Sequence, residues 1–317
     1  MKVYVVNEGD TLQSIAEKFR VSVERLAFDN EIQRQELVVG QALLILEPEQ
    51  IYTIEEGDTL AGIAEQFGQT VIHLVRSNPY LLNETFLLPG RQIVITYKDM
   101  ENREMDVSGY AYSFIKEAVL EETLLYIDEL LPFSYGYNED GSLIAMNDDR
   151  LLSEADRFGR RKRMVITPLD RNERFNNQLV IRLLESSVIQ DTLLANILNV
   201  MREKGYQALD IDFEFIPAPY REAYVVFIQK TTKMLHDSGF EVSVAVPPKI
   251  ADDQPGLLYE GIDYEGIGRA ADTVFLMTYE WGYKYGPPMA VAPVPNVRRV
   301  LDYAVSVIPN DKIYMGI

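Results

Sequence analysis

Short apolar stretches alternate with longer amphipathic stretches over the C-terminal two-thirds of the chain. The short stretches predict strands, and they are Val107–Tyr112, Leu131–Tyr137, Met164–Thr167, Tyr206–Phe213, Glu241–Val246, Asp272–Met277 and Lys312–Ile317. The intervals carry apolar residues at three- and four-residue spacing, as in Leu193–Arg202 and Tyr224–Leu235, and predict helices. Strands that alternate with helices form a parallel sheet, and eight such pairs close a barrel. The pattern therefore predicts an α/β fold, a (β/α)8 TIM-type barrel that is truncated within strand seven.

A duplicated pattern precedes the predicted barrel. Shifting the chain by 48 residues aligns Glu8–Leu12 with Glu56–Leu60 and also Tyr4 with Tyr52. Each copy begins with an alternating strand, continues through a Gly-Asp-Thr-Leu turn into a helix, and ends with a second short helix and a closing strand. The charged stretch Lys98–Glu104 is the predicted linker. The predicted domains are two βααβ repeats over residues 1–47 and 50–97 and a barrel over residues 104–317.

The composition narrows the classes of function. The chain has 317 residues with 47% hydrophobic content, enough for a packed core, and a net charge of −19. That charge argues against nucleic acid and anionic membrane surfaces as partners, and no stretch is apolar for long enough to span a bilayer. The absence of cysteine excludes disulfides, thiolate metal sites and cysteine nucleophiles. With only His73 and His236 present, we expect no Ser-His-Asp hydrolase, no metal site and no cofactor.

Apolar and acidic residues alternate along Gln207–Glu214. On a strand, alternate residues share one face about 6–7 Å apart, and the acidic ones are Asp210, Asp212 and Glu214. Like charges this close on a buried strand cannot all ionise easily, so at least one pKa should rise and keep a proton donor available near neutral pH. The alternatives are a half-solvated antiparallel strand with an acidic face, and a divalent-cation site.

These residues resemble the catalytic signature of glycoside hydrolase family 18, the chitinase-type barrels, which reads Asp-x-x-Asp-x-Asp-x-Glu. Gln207 replaces the first Asp, at a position that we expect to lie deepest in the barrel. Met277–Trp281 is similar to the family's Met-x-Tyr-Asp/Asn segment at the end of the sixth strand. The phrase Met277–Tyr283, followed by Gly286–Ala290, looks like the branch found in spore cortex-lytic glucosaminidases of endospore formers.

The resemblance implies substrate-assisted hydrolysis, in which the sugar's own N-acetyl oxygen attacks the anomeric carbon. Glu214 would be the proton donor and then the base, Asp212 would orient the acetamide, and Asp210 would adjust the protonation of Asp212. Tyr279 would hold the acetamide carbonyl; its alternative is a core tyrosine. Trp281 either stacks on a sugar face or belongs to the core. The substrate-binding candidates are Tyr110, Met277, Glu280 and Trp281.

The chain also departs from the family pattern. It stops inside the seventh strand, so it lacks the family's strand-eight Trp beneath the sugar and is interpreted as a fragment of a longer protein. Thr167–Asp170 stands where the family carries Ser-x-Gly-Gly on strand three. This difference favours the spore-type branch over an ordinary chitinase.

The two repeats resemble lysin-motif (LysM) domains, which bind N-acetylglucosamine runs in peptidoglycan or chitin. The resemblance implies a groove between the loop after the first strand and the loop after the second helix of each repeat. The candidate contacts are Gly9, Asp10, Thr11, Leu12 and Asn30 in repeat one, and Gly57, Asp58, Thr59, Leu60, Asn78 and Pro79 in repeat two. The turn residues serve only folding in the alternative interpretation. We expect the extra carboxylate within Phe28–Glu31 to weaken binding by repeat one.

Together the resemblances predict a peptidoglycan N-acetylglucosaminidase that acts on spore cortex and is tethered by two glycan-binding repeats. A noncatalytic glycan-binding or spore-coat structural protein, and a chitinase, are the alternatives. The N-terminus shows no apolar stretch with a small-residue cleavage site, so no secretory signal is expected. We therefore expect the protein in the spore coat or cortex, or in the cell wall.

Overall fold

The structure, a computed structural model, describes residues 2–32, 37–84, 86–98, 105–170, 174–279, 281–282 and 289–317. The chain divides into two compact units, Met1–Met105 and Asp106–Ile317. Most of the predicted linker lies outside the described residues, because residues 99–104 do. The same holds for Glu280 and for residues 283–288, on which part of the family resemblance rests.

The first unit contains two repeats, each with a two-stranded antiparallel sheet and two helices between its strands. The elements of repeat one are β1 (Lys2–Val5), α1 (Leu12–Phe19), α2 (Val23–Asp29) and β2 (Ala42–Ile45). The elements of repeat two are β3 (Pro48–Thr53), α3 (Leu60–Gln66), α4 (Val71–Ser77), a 3-10 helix (Pro79–Asn83) and β4 (Gln92–Tyr97). The predicted βααβ order is confirmed in both repeats.

The second unit alternates strands and helices. Its strands are β5 (Ser108–Tyr112), β6 (Glu129–Phe133), β7 (Gly136–Tyr137), β8 (Leu143–Ile144), β9 (Arg161–Ile166), β10 (Ala208–Asp212), β11 (Glu241–Val246), β12 (Thr273–Leu276) and β13 (Ile313–Met315). Its helices are α5 (Glu117–Leu124), α6 (Asp149–Arg157), α7 (Asn177–Glu185), α8 (Ser187–Lys204), α9 (Arg221–His236), α10 (Tyr264–Ala270) and α11 (Val294–Val307), with 3-10 turns at Ala218–Tyr220 and Asn310–Lys312. Among the described helices, none combines the length and the apolarity needed to cross a membrane.

A curled parallel sheet forms the centre of this unit. The strand order is β13-β12-β11-β10-β9-β6-β5, and each neighbouring pair is parallel. The curl brings strands from opposite ends of the sheet together. The rings of Tyr110 on β5 and Phe275 on β12 lie 5.5 Å apart, and Tyr314 on β13 donates a hydrogen bond of 3.2 Å to Asp106, before β5. The predicted parallel sheet, curled as in a TIM-type barrel, is confirmed.

The central strand β10 separates an apolar outer face from an acidic inner face. Leu209, Ile211 and Phe213 are fully buried and pack in one core with side chains of α8 and α9. Alternation along the strand turns Asp210 and Asp212 to the opposite face, where both are buried as well. The alternative of a half-solvated antiparallel strand is therefore wrong.

The second predicted strand is interrupted, which the sequence did not indicate. β6 ends at Phe133 and the chain continues into the hairpin β7–β8, whose strands pair antiparallel. The backbone N–H of Tyr135 donates to the carbonyl of Val165 on β9, out of the register in which β6 pairs with β9. The hairpin turns at Asn138–Gly141, where Gly141 has φ +83, a left-handed conformation that favours glycine. The fourth predicted strand is shorter than expected, because β10 covers only Ala208–Asp212.

Asp148 is a fully buried carboxylate beside α6, on the helical side of the sheet. It accepts hydrogen bonds from the hydroxyls of Tyr135, at 2.6 Å, and Tyr206, and it forms an ion pair with Lys204. Burial raises its pKa, but the hydrogen bonds from Lys204, Tyr135 and Tyr206 outweigh burial and leave the pKa below its ordinary value. This carboxylate therefore ties α6, α8 and the segment after β6 together in its charged form.

We expect Asp148→Asn to lower the free energy of unfolding at pH 7 by about 2 kcal/mol, because the neutral amide loses the charge-assisted hydrogen bonds that Lys204, Tyr135 and Tyr206 donate to the carboxylate. Since folding depresses the Asp148 pKa, this stabilisation is present above the unfolded-state pKa of about 3.9 and is lost as the pH falls through the lower folded-state value. Urea unfolding of both proteins between pH 3 and pH 7 measures it. A difference that grows toward low pH would contradict this assignment.

Candidate active site

The candidate site lies on the inner face of the sheet, near the carboxyl ends of the strands. Active sites of parallel α/β barrels are found at this end. β10 contributes Asp210 and Asp212, and Glu214 follows two residues after Asp212. The adjacent strand β11 contributes Ser243, which is in register with Asp210. Tyr110 reaches the same group from β5, at the edge of the sheet.

Asp210 lies below the cavity and is held by hydroxyl groups. Tyr110 donates a hydrogen bond of 2.8 Å to Oδ2, and Ser243 donates to Oδ1. Burial raises the pKa of Asp210, while the hydrogen bonds from Ser243 and Tyr110 and the charge of Arg163 act in the opposite direction. Both carboxyl oxygens thus have fixed partners, so Asp210 can affect Asp212 but not reach a ligand.

Asp212 is a buried acid whose pKa is strongly raised. Burial raises its pKa well above the ordinary value, and the neighbouring charges of Asp210 and Glu214 raise it further. Its Oδ1 is buried and has no hydrogen-bond partner among the described residues. A buried polar atom without a partner is costly, so this oxygen is available to a polar group of a ligand.

A cavity of about 280 Å³ opens above Asp212. It brings together predicted site residues from β5, β10 and the end of β12, and these are Tyr110, Asp212, Glu214, Met277 and Tyr279. The rest of its lining was not predicted and is mostly aromatic, namely Ala111, Tyr112, Phe133, Phe175, Ala245 and Phe275. Tyr112 and Phe275 could have been found from the sequence, because each lies two residues from a predicted site residue on the same strand. Phe133 and Phe175 are far in sequence from the predicted site residues, so no local pattern indicated that they line the cavity.

An exposed aromatic pair extends the cavity wall at the end of β5. The rings of Tyr112 and Phe114 are stacked with centroids 5.0 Å apart, and 53% and 80% of these residues are exposed. Phe133 contacts Tyr112 edge-on. Large apolar rings that remain in solvent beside a cavity are a typical feature of a binding surface.

Tyr279 is supported from behind by a glycine. A Cβ on Gly316 would lie 2.6 Å from Cε1 of Tyr279 and 2.8 Å from the ring of Phe275, closer than real Cβ atoms approach. Thr278 donates a hydrogen bond of 2.6 Å to the carbonyl of Gly316. The segment after β12 is thereby fixed against β13, and the position of the Tyr279 ring depends on the absence of a side chain at residue 316.

Three further predictions concern Trp281, Gln207 and Glu280. Trp281 is partly buried against the outer hydrophobic core and is absent from the described cavity lining, which favours the core alternative. Gln207 does not lie deepest in the barrel: it is exposed at the start of β10, and its amide oxygen accepts a hydrogen bond of 2.7 Å from the backbone of Lys162. Glu280 is not described.

The divalent-cation alternative also finds no support. In the described part of the chain, no three His, Cys, Asp or Glu residues are grouped so that they could hold a metal ion. His236 instead pairs with Asp272 at 2.9 Å on the surface.

In the repeats, most predicted glycan contacts serve the fold. The side-chain amides of Asn30 and Asn78 each donate one hydrogen bond to a helix carbonyl. Each amide also donates to the carbonyl and accepts from the N–H of one residue of the closing strand, and Asn78 is only 1% exposed. Asp10 accepts hydrogen bonds from Tyr4 and the backbone of Asn7, and Asp58 does the same with Tyr52 and Glu55. The side chains of Leu12, Asn78 and Pro79 are buried, so the glycan contacts predicted at these positions would use backbone groups.

The remaining candidates form the turn before the first helix of each repeat. Thr11 and Thr59 accept hydrogen bonds from the backbone and cap α1 and α3, and both stay exposed. Gly9 and Gly57 have φ of +86 and +90 and leave the backbone open on one side. Leu60 packs partly buried against the core of repeat two. A glycan contact in these turns would therefore use backbone groups and the exposed hydroxyls of Thr11 and Thr59.

Of the two carboxylates within Phe28–Glu31, near the predicted groove of repeat one, only that of Glu31 is exposed. The Asp29 side chain is 8% exposed and forms an ion pair of 2.7 Å with Arg25, so its carboxylate does not face a groove. Glu31 is exposed and stays a candidate for weakening glycan binding.

Comparisons with known proteins agree with both units. The model of the glycosyl hydrolases family 18 matches residues 182–317, and the LysM domain model matches residues 4–45 and 52–96. The chain is 37% identical to a cortical fragment-lytic enzyme of Bacillus subtilis (strain 168), over 100% of this chain and 74% of that protein.

Two solved structures are similar over nearly the whole chain. The spore cortex-lytic enzyme SleL of Bacillus megaterium QM B1551 has a TM-score of 0.76 and 34% identity, over 99% of this chain and 73% of that one. SleL of Bacillus cereus has a TM-score of 0.78 and 30% identity, over 100% and 74%.

We expect Asp210→Asn to lower the pKa of Asp212, because one of the charges that raises it is removed while the burial remains. Carbon-13 NMR of aspartate-labelled protein follows the titration directly. Asp302→Asn, at an exposed position on α11, is the matched control and should leave the midpoint unchanged. An Asp212 midpoint that stays in place or rises in Asp210→Asn would contradict the coupling.

Proposed function

Because the chain belongs to the family of cortical fragment-lytic enzymes, glycosyl hydrolases of family 18 that carry LysM domains, we propose that it cuts spore cortex peptidoglycan after N-acetylglucosamine. The chain is a glycoside hydrolase. The observation that carries the finer proposal is the buried carboxyl of Asp212, which lies between two other acids and has one oxygen without a partner among the described residues. Such a group suits a ligand that brings its own hydrogen-bond donor.

The proposed reaction uses the acetamide of the substrate as the nucleophile. Glu214 protonates the leaving glycosidic oxygen while the acetamide carbonyl oxygen attacks the anomeric carbon, and the glycosidic bond breaks. Asp212 accepts the acetamide N–H and stabilises the positive charge of the resulting oxazolinium ion. Tyr279, at the cavity wall, donates to the acetamide oxygen. The Glu214 carboxylate then takes a proton from water, which opens the ring from the same face as the departed group.

The raised pKa of Asp212 supports this division of labour. Burial and the charges of Asp210 and Glu214 make the ionised form of Asp212 costly in the free protein. Positive charge that develops on the substrate beside Asp212 lowers this cost, so the attraction is stronger in the transition state than in the ground state. Asp210 would influence the protonation of Asp212. Tyr110 and Ser243 hold Asp210 in place, and no hydrogen bond from either hydroxyl to Asp212 is described, so Asp212 is left to contact the substrate. No enzymic nucleophile is needed in this scheme.

The aromatic wall fits a polysaccharide substrate. Pyranose rings present C–H groups that pack on aromatic faces, and Tyr112 and Phe114 offer such faces beside the cavity. The two LysM repeats would keep the enzyme on the polymer, since linked binding modules raise the effective concentration at a weak second site. We propose the spore cortex or coat as its location. A chitinase, which would cut the N-acetylglucosamine polymer chitin instead of cortex, is the competing function.

We expect Glu214→Gln to reduce turnover of cortex fragments by roughly 10²–10⁴-fold, because the general acid is lost, while binding to the glycan persists. Release of reducing ends measures turnover. Glu203→Gln, which removes the same charge at an exposed position on α8, is the control and should retain activity. Turnover of Glu214→Gln within tenfold of the parent would favour a noncatalytic role for this acid.

We expect the products to end in N-acetylglucosamine in the β configuration, because the acetamide participates and the anomeric carbon is inverted twice. Borohydride reduction tags the new end, mass spectrometry identifies the sugar, and proton NMR of the first product reads the anomer. Cortex in which this sugar has been de-N-acetylated should resist cleavage. A tag on muramic acid or its lactam, or an α-anomer, would show that the roles given to Asp212 and Tyr279 are wrong.

A further inference from the structure

Arg25 connects the two repeats of the first unit. Arg25 on α2 binds the Asp29 carboxylate through two nitrogens, at 2.9 and 2.7 Å, and donates a third hydrogen bond of 2.5 Å to the backbone carbonyl of Ser77 in repeat two. Its guanidinium lies over the ring of Tyr97, 5.5 Å from the centroid, and the Tyr97 hydroxyl donates to the same carbonyl at 2.9 Å. One guanidinium thus holds groups from both repeats.

This contact is largely removed from solvent. The Arg25 and Asp29 side chains are 13% and 8% exposed, and Ser77 and Tyr97 are each 7% exposed. Charged hydrogen bonds at such a site are stronger than those between exposed ions, and the rigid fork of arginine fixes the angle between its partners. Only Leu46 and Glu47 separate β2 from β3, so the connection between the repeats is also short.

The clamped groups lie directly beside the predicted grooves. Asp29 precedes Asn30, whose amide connects α2 to the closing strand of repeat one. Ser77 precedes Asn78, whose amide connects α4 to the closing strand of repeat two. Two hydrogen bonds and the width of one guanidinium separate Asp29 from the Ser77 carbonyl, a distance of about 7 Å or less. The second walls of the two grooves therefore lie side by side.

We propose that Arg25 fixes the two repeats as one composite site, which binds a single N-acetylated glycan strand across both grooves. The proposal rests on glycan binding by the repeats and adds how they act together. A fixed pair of grooves does not lose orientational freedom when the second groove fills, so a long strand binds more tightly than two short ones. Without the clamp, the repeats become two sites on a short tether.

The test uses the full chain with Glu214→Gln, so that no oligosaccharide is cleaved. Soluble N-acetylglucosamine tetramer and octamer are titrated, and the amide NMR signals of Gly9 and Gly57 report the turn of each groove separately from the barrel cavity. In the parent, both signals should shift with one common affinity for the octamer, which exceeds the tetramer affinity. Arg25→Gln should reduce the octamer affinity roughly tenfold and leave the tetramer affinity unchanged.

Two further variants separate the clamp from folding and from charge. Arg25→Gln combined with Asp29→Asn avoids an unpaired buried carboxylate and should show the same loss for the octamer if the repeats stay folded. Arg20→Gln, at an exposed arginine of repeat one, removes the same charge and should behave as the parent.

The outcomes distinguish the two levels of the proposal. If neither glycine signal shifts with either oligomer, glycan binding by the repeats is refuted. If both shift but the octamer binds no better than the tetramer, or if the Arg25 variants keep the parental ratio of affinities, the composite site is refuted.

Discussion

The burial of two carboxyl groups on β10 is the constraint on which the barrel unit depends. A charged carboxylate in this interior is costly, and Asp210 and Asp212 each make the ionisation of the other harder. The curled sheet offsets part of this cost by bringing two hydroxyl groups, from Tyr110 and Ser243, to Asp210. Asp212 receives no such compensation at one oxygen from the described residues, and that oxygen is the group most suited to meet a substrate.

The outer face of the same strand makes this arrangement possible. Leu209, Ile211 and Phe213 are fully buried against the helices, so the strand is anchored by its apolar side chains while its acidic ones remain on the inner face. Hydrophobic burial on one face thus holds in place groups on the other face that would destabilise an isolated strand. The perturbed pKa of Asp212 is a consequence of that packing.

The repeats show a different relation between sequence signal and role. The residues that carry the lysin-motif pattern most clearly, such as Asn30, Asn78 and Asp10, satisfy hydrogen bonds inside their own repeat. Arg25, which has no part in that pattern, connects the two repeats. A small domain has few side chains with which to build a core and its turns, so most of its recognisable residues are needed for folding.

The sequence by itself determined the strand–helix alternation, the two repeats and the acidic triplet, because each depends on local periodicity or on exact repetition along the chain. Strand alternation put the acidic side chains on one face, and the family resemblance added Tyr279 and Met277; together with Tyr110, Asp212 and Glu214 they line one cavity. Only the tertiary structure decided that Trp281 joins the core, that Gln207 is exposed, that Ser243 supports Asp210 and that Arg25 reaches Ser77. Those contacts join segments far apart in the chain or depend on the curl of the sheet. No periodicity along one strand or helix encodes them.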